Sequence, residues 1–332
     1  MAEESRIWIK KLARYAHPDN RRGAFELVLT LAVFAALWLA MWGLSLVSYW
    51  LVALALLPAS FFLVRLFILQ HDCGHAALFS SRAANDWVGR ALGVLTLTPY
   101  DWWKHNHALH HASSGNLDKR GIGDVDTLTV EEYRMRGWLG RLAYRVYRHP
   151  LVLFVIGPVY LFVLQHRLPV GAFRGGAAPW VSTMSTNAGI AVLAVALVLV
   201  FGWQTLVLIH LPLTILGATI GVWFFYVQHQ FNPTFWAHAK GWERAEAALH
   251  GSSFYDLPKP LMWLTGNIGI HHVHHLASRI PFFRLPDALR DFPELRSVGR
   301  LTFLDSLKCV RLALWDEKSG RMVTFREAQA LA

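Results

Sequence analysis

The 332-residue chain is 54% hydrophobic and only 16% charged, and it carries 15 tryptophans. Soluble globular domains average about 25% charged residues, so this composition excludes that class and places the chain in a membrane. A formal charge of +10 fits attraction to anionic lipid headgroups; no nucleic-acid partner is expected.

In chain order, a basic arm comes first, holding Arg6, Lys10, Lys11, Arg14, Arg21 and Arg22. Its first 24 residues lack an apolar core, so no cleavable signal is expected. A helix needs about 20 mostly apolar residues to cross a bilayer core of roughly 30 Å. Phe25 to Val47 and Trp50 to Leu69 meet that length, the second with Arg65 near its end. Asn187 to Phe201 and Thr205 to Gln228 follow as a second pair, separated only by Gly202, Trp203 and Gln204. The spacing predicts four transmembrane helices in two hairpins, at 25–47, 50–69, 187–201 and 205–228. Leu151 to Gln165 is shorter and contains Pro158; it is read as an interfacial segment, 151–165.

Lysine and arginine are retained on the cytoplasmic side in short loops. The region from Lys104 to Arg148 holds eight, and the two hairpin turns hold none. Residues 70–186 and 229–332 are therefore expected in the cytoplasm, as a helical cap on an all-α integral membrane protein that forms one domain over 1–332. Two cysteines, Cys73 and Cys309, give no disulfide framework, as fits a reducing compartment.

Of the 17 histidines, ten lie in three windows: HDCGH at 71–75, HNHALHH at 105–111 and HHVHH at 271–275. All three fall on the expected cytoplasmic side. Helical residues three or four apart share a face. His71 and His75 are four apart, and His107, His110 and His111 span an arc of about 100°, while His105 points to the opposite side. In the third window His271 and His275 share an edge with either His272 or His274, and spacing alone leaves that choice open. His229 stands where the fourth span reaches the cytoplasm and can join the cluster. His17, His149, His166, His210, His238 and His250 have no box partners and read as structural.

Eight or nine imidazoles exceed what one zinc takes or what haem iron uses, so they point to two metal ions. Imidazole suits iron, and oxygen activation for attack on an unactivated C–H bond needs a redox metal with open positions. A dinuclear iron site is the natural candidate. Asp72, Asp124 and Asp126 could orient imidazoles through their outer N–H groups, and Asn267, four residues before His271, could hold a metal-bound water. Trp102, Trp103, Trp236 and Trp242 fit an interfacial aromatic belt better than an acyl-channel lining.

HDCGH, HALHH at 107–111 and HHVHH, in that order in a chain with two hairpins, resemble the three histidine boxes (HxxxH, HxxHH, HxxHH) of the membrane fatty acid desaturases. The resemblance runs from the first span to about Leu285. The surrounding SSGNLDKRGIGDVDTLTVEEY and GNIGIHHVHHLASRIPFFRLP look like the bacterial acyl-lipid, Δ12-like branch. It implies that His71, His75, His107, His110, His111, His271, His274 and His275 bind two irons, with His229 as a ninth ligand, and so prefers His274 to His272. His105 and His272, with Asn267 and Asp72, are left as outer partners of the ligands. Phe225 departs from acyl-CoA members that carry asparagine four residues before the ninth histidine.

The resemblance further implies an oxygen-dependent oxidoreductase that places a cis double bond in a membrane acyl chain, with O2 as co-substrate. No HPGG haem segment, GxGxxG or cysteine set for an iron–sulfur cluster is present, so an external donor, a ferredoxin or similar acidic carrier, is expected to dock on the basic arm or on the arginines of 134–148. The site is expected to lie on the cytoplasmic side of a bacterial inner membrane. Hydroxylases, ketolases and alkane monooxygenases share the boxes and form the nearest alternative; a histidine-rich metal transporter and a haem electron carrier are alternatives of another class.

Overall fold

Four helices long and apolar enough to cross a membrane organise the chain: Asn20–Ser45, Tyr49–Gly74, Ala177–Phe201 and Leu206–His229. The computed structural model describes residues 2–121 and 123–331; Met1, Ile122 and Ala332 lie outside the described residues. The remaining regular structure is helical apart from a few two- and three-residue strands, so the all-α expectation holds, with minor sheets added to it.

The helices outrun the apolar stretches that announced them. The first starts at Asn20, where the Asp19 carboxylate accepts hydrogen bonds from the Arg21 and Arg22 amides, the usual way of satisfying a helix's unpaired first N–H groups. The second runs on to Gly74 and takes in most of the first histidine window. The third starts at Ala177 rather than Asn187; in its polar first half Thr186 Oγ1 donates to the Ser182 carbonyl at 2.9 Å and Ser185 Oγ to the same oxygen at 3.2 Å, while Ser182 Oγ accepts the Trp102 amide at 3.1 Å. Residues 177–186 are therefore continuous with the apolar helix that follows them.

The first two helices, joined by three residues, pack on each other as a hairpin. The other pair is a hairpin in connectivity more than in packing. The third helix rests mainly on Arg82–Leu95 and Tyr100–Ser113, and the fourth rests on the second. At that contact a side chain on Gly217 would meet Leu63 Cδ2 at 2.9 Å, the close backbone approach for which membrane helices use small residues. Arg82–Leu95 is an amphipathic helix between the first two windows that hydropathy did not reveal.

Residues 152–167 form a further helical stretch, bent 56° from Trp138–Tyr147. Two π-helical turns, Val152–Ile156 and Tyr160–Leu164, flank Gly157–Val159. Pro158 lacks the amide needed to continue a regular ladder. By length and composition the bent pair is either a broken span or a re-entrant loop.

Beyond the fourth helix, short elements wrap the ends of the spans. Phe254–Tyr255 pairs in parallel with Arg300–Leu301; Leu314–Asp316 pairs in parallel with Leu128–Thr129 and antiparallel with Arg321–Val323. The N-terminal helix Ala2–Leu12 docks here, with Trp8, Leu12 and Tyr15 packed among Leu249, Leu276, Leu285 and Leu289.

Candidate metal centre

The first window ends the second span. His71 lies in its last turn, and His75 closes the helix, its amide donating to the His71 carbonyl at 3.2 Å before Ala76 turns to φ 51°. The second window occupies the C-terminal half of Tyr100–Ser113, so HNHALHH is helical as its spacing predicts. The third forms the short helix His271–Leu276. Its approach is set by Gly266 and Asn267, at φ 55° and 52°; a side chain on Gly266 would meet Ile68 Cγ2 at 2.7 Å, so only glycine lets this loop lie against the second span.

These elements bring nine histidines into two groups. His71, His75, His107, His111 and His274 form one, and His110, His229, His271 and His275 form the other; within each, one ring nitrogen per residue lies within 4.8 Å of all the others. His111 and His275, from different groups, stack with ring centres 4.1 Å apart. Every histidine expected as a ligand is included. His105 and His272 are in neither group.

Nitrogen separations test whether such groups suit metal ions. In the first group His107 Nε2 lies 3.0 Å from His75 Nε2 and 3.1 Å from His111 Nε2, which is 3.2 Å from His274 Nε2. In the second, His271 Nε2 lies 3.0 Å from His229 Nε2 and 3.1 Å from His275 Nε2. A neutral imidazole has one N–H, so it cannot bond two neighbours through one nitrogen as donor to both. With ions about 2.0–2.1 Å from imidazole nitrogen, neighbouring ligands stand about 3.0 Å apart at right angles and about 3.4 Å apart at tetrahedral ones. The observed spacings sit near the right-angled value, and the donor set fits two transition-metal ions.

Burial keeps the rings in the ligating form. Desolvation holds His107, His111, His274 and His275 well below the ordinary imidazole pKa, with neighbouring histidines adding to the effect. They are therefore neutral at physiological pH, with a lone pair free for a metal.

Around the rings, His110 Nδ1 meets Asp124 Oδ1 at 2.5 Å, while its buried Nε2 has no partner among the described residues. A carboxylate on the far nitrogen fixes a ligand's tautomer and raises its basicity. Trp103 stacks on His107 at 4.8 Å, and Phe225 packs against both His110 and His229, at 5.4 and 5.1 Å. Trp103 thus covers the site, whereas Trp236 is buried beside Leu117, Trp315 and Met322, and Trp242 donates to the Ser114 carbonyl.

The other expected outer partners bond elsewhere. Asp72 Oδ2 accepts the Phe282 amide at 2.7 Å, its Oδ1 being 3.7 Å from His71 Nδ1. Asn267 Nδ2 donates to the Phe282 carbonyl at 3.3 Å. Both therefore fasten the chain that follows the third window. His272 Nε2 bonds the Leu295 carbonyl at 2.9 Å, and exposed His105 stacks on Trp102. Asp126 is held through its backbone by Tyr144, Tyr147 and Arg148. His17, His149, His166, His210, His238 and His250 join neither group.

Sequence reasoning passed over Arg65. It is fully buried, paired with Glu26 at 2.5 Å, bonded to the Trp263 carbonyl and laid over the Trp263 and Phe282 rings. It ties the first two spans to the loop that delivers the third window. The signal was present, since an ionisable residue inside an apolar run is a functional or structural pivot by default.

A sequence model described as fatty acid desaturase matches residues 48–302. The chain is 42% identical over 327 residues to a fatty acid desaturase of Bacillus subtilis (strain 168), covering 98% of this chain and 92% of that protein. It is 30% identical over 233 residues to an sn-1 acyl-lipid omega-3 desaturase (ferredoxin) of Synechocystis sp., covering 66% and 61%. With an sn-1 oleoyl-lipid 12-desaturase of Anabaena variabilis it shares 24% over 296 residues, covering 83% and 78%.

Proposed function

Since the chain belongs to the fatty acid desaturase family, we propose that it is an oxygen-dependent desaturase that uses two irons to place a cis double bond in a membrane acyl chain. The observation that carries this reading is the division of nine buried or half-buried histidines into two groups, each with one ring nitrogen per residue within 4.8 Å of all the others and with neighbouring pairs at 3.0–3.2 Å. His71, His75, His107, His111 and His274 hold one iron; His110, His229, His271 and His275 hold the other. A pair of irons supplies the redox capacity to use O2 and take hydrogen from two neighbouring methylenes, two electrons coming from an external donor.

The chain's own residues do the rest. Asp124 takes the His110 Nδ1 proton into a hydrogen bond and leaves Nε2 as the donor atom. Trp103 and Phe225 cover the imidazoles with apolar surface, keeping water from a reactive centre. Arg65, Asp72 and Asn267 fix the loop that places His271, His274 and His275. The relatives named as acyl-lipid and oleoyl-lipid desaturases favour a lipid-borne acyl substrate here, and one named with ferredoxin favours a ferredoxin-like donor. The positive-inside pattern supports a cytoplasmic site on a bacterial inner membrane.

The test is the fatty acid profile, by gas chromatography, of a host with defined lipids expressing the chain or its His110→Ala variant. A new double bond with the parent and none with the variant is expected. A hydroxylated or keto product would move the assignment to a related di-iron oxidation, and an unchanged product from the variant would remove His110 from the site.

A further inference from the structure

The helix Trp138–Tyr147 stands apart from the histidine groups and has a surface that catalysis does not use. Only Tyr144 is buried; Trp138, Leu139, Leu142 and Val146 are exposed at 68, 62, 50 and 52%. At 100° per residue these four fill one arc of about 100°. Arg141 and Arg145 lie along its edge, and the buried Tyr144 and half-buried Tyr147 lie on the far side. An apolar arc bordered by arginines, on a helix largely free of the protein body, is the pattern of a helix lying in a membrane interface. The next residues are the bent, apolar stretch 152–167, with Val155, Ile156, Tyr160 and Leu164 exposed, so this helix stands where the chain turns toward the hydrocarbon.

A groove of about 620 Å³ runs beside the helix, lined by Arg134, Trp138, Arg141, Arg145 and Ala328 and by no acidic residue. Arg134 donates to the Ala328 carbonyl at 2.7 Å and Arg145 to the Tyr133 hydroxyl at 2.7 Å, which fixes two guanidinium groups at the wall. The Arg141 side chain makes no hydrogen bond or ion pair among the described residues and is exposed. Guanidinium groups match phosphate oxygens in bidentate geometry.

We propose that this groove binds the phosphate headgroup of an anionic phospholipid of the surrounding bilayer, with the Trp138–Leu142–Val146 stripe lying in the adjoining acyl layer. The same arginines would also attract an acidic electron carrier, but a water-soluble carrier leaves the four exposed apolar side chains uncovered, whereas a lipid covers them. The basic arm remains for the donor, although Arg6, Arg14 and Arg22 are already paired with Glu243, Asp291 and Glu26.

The test uses the full-length protein in mixed micelles containing brominated phosphatidylglycerol or brominated phosphatidylcholine, read by tryptophan fluorescence. Subtracting the Trp138→Phe signal isolates Trp138. Phosphatidylglycerol is expected to quench that component at a lower lipid fraction than phosphatidylcholine. Arg141→Gln, which breaks no internal bond, is expected to raise the phosphatidylglycerol requirement about fivefold, the effect of one arginine near an anionic surface. No Trp138-dependent quenching, or equal quenching by the two lipids, would overturn the proposal. So would an Arg141→Gln variant with unchanged lipid quenching but slower reduction by ferredoxin, which would assign the surface to the donor. The quenching readout involves no iron, so its failure is separate from failure of the desaturase reading.

Discussion

The two histidine groups are built differently. The first takes two residues from the first window, two from the second and one from the third; the second takes one from the second window, two from the third and His229 from the end of the fourth span. His75 and His107 of the first group are half-buried, and Trp103 stacks on it. All four residues of the second are buried, and among the described residues it alone has a carboxylate at hydrogen-bond distance, Asp124 on His110 at 2.5 Å, whereas Asp72 stands 3.7 Å from His71 in the first. Helical spacing alone places four of the first group's five residues, His274 being settled over His272 by the Leu295 carbonyl, while the second group needs a residue from a separate span and an acid from a loop to complete the set.

The largest effects separate the groups. His271→Ala removes the residue whose nitrogen contacts both His229 and His275, and it is expected to abolish the double bond. His107→Ala, at the centre of the first group, is expected to do the same. Metal analysis of the purified variants sharpens the comparison: each is expected to keep about half of the parent iron, because the other group retains its own ligands. Loss of all iron from both variants would show that the groups form one cooperative site.

Asp124→Asn comes next. It removes the charge from the bond to His110 Nδ1 and is expected to cost about 10–100-fold in metal affinity or activity, the range for such outer partners. The expected signature is selective: a chelator titration followed by iron analysis should show half of the metal leaving at much lower chelator. If both irons leave together, the asymmetry between the groups has no energetic content.

This asymmetry also marks what could be read from the chain. The windows, their helical faces and the exclusion of His105 follow from spacing, because a helix fixes relative direction over one turn. The four spans were visible as apolar runs. The choice of His274 over His272 was not, since both lie at acceptable helical offsets; it is made by the Leu295 carbonyl, which takes up His272. Asp124 looked like any loop acid until tertiary packing set it on His110. The roles of Asp72 and Asn267 depend on where Phe282 falls, 210 residues beyond Asp72 in sequence. Arg65 gave a legible warning, but only the fold shows Glu26, Trp263 and Phe282 meeting it.

A smaller effect concerns the loop that leads from the second window toward Asp124. His238 bridges Asp118, at 2.6 Å, and Glu317, at 3.0 Å. The bond to Asp118 raises the His238 pKa, and Asp118 is lowered, chiefly by the Ala239 amide and then by His238. The raised imidazole contributes stability that is full below its unfolded pKa and fades as pH rises through the folded value. The depressed carboxylate contributes above its unfolded pKa and fades as pH falls through its folded one. His238→Gln should therefore lower the thermal midpoint slightly at mildly acidic to neutral pH, with the gap to the parent closing as pH rises well above neutrality. A gap that persists at high pH would mean that the clamp acts through shape rather than charge.

The smallest effect tests the boundary of the first group. His105 is two residues from His107 and belongs to the same seven-residue window, so a purely compositional view would make it a ligand. On the helix it faces outward, exposed and stacked on Trp102 at 5.5 Å, and no nitrogen of either group is assigned to it. An exposed side chain with one aromatic neighbour contributes little, and substitutions of that kind usually fall within about 0.5 kcal/mol. His105→Gln is expected to keep the parent's iron content and fatty acid profile, with a thermal midpoint nearly unchanged. A drop in iron in this variant alone would mean that the helix turns in the loaded protein, and the division of the window into an inner edge and an outer residue would have to be redrawn.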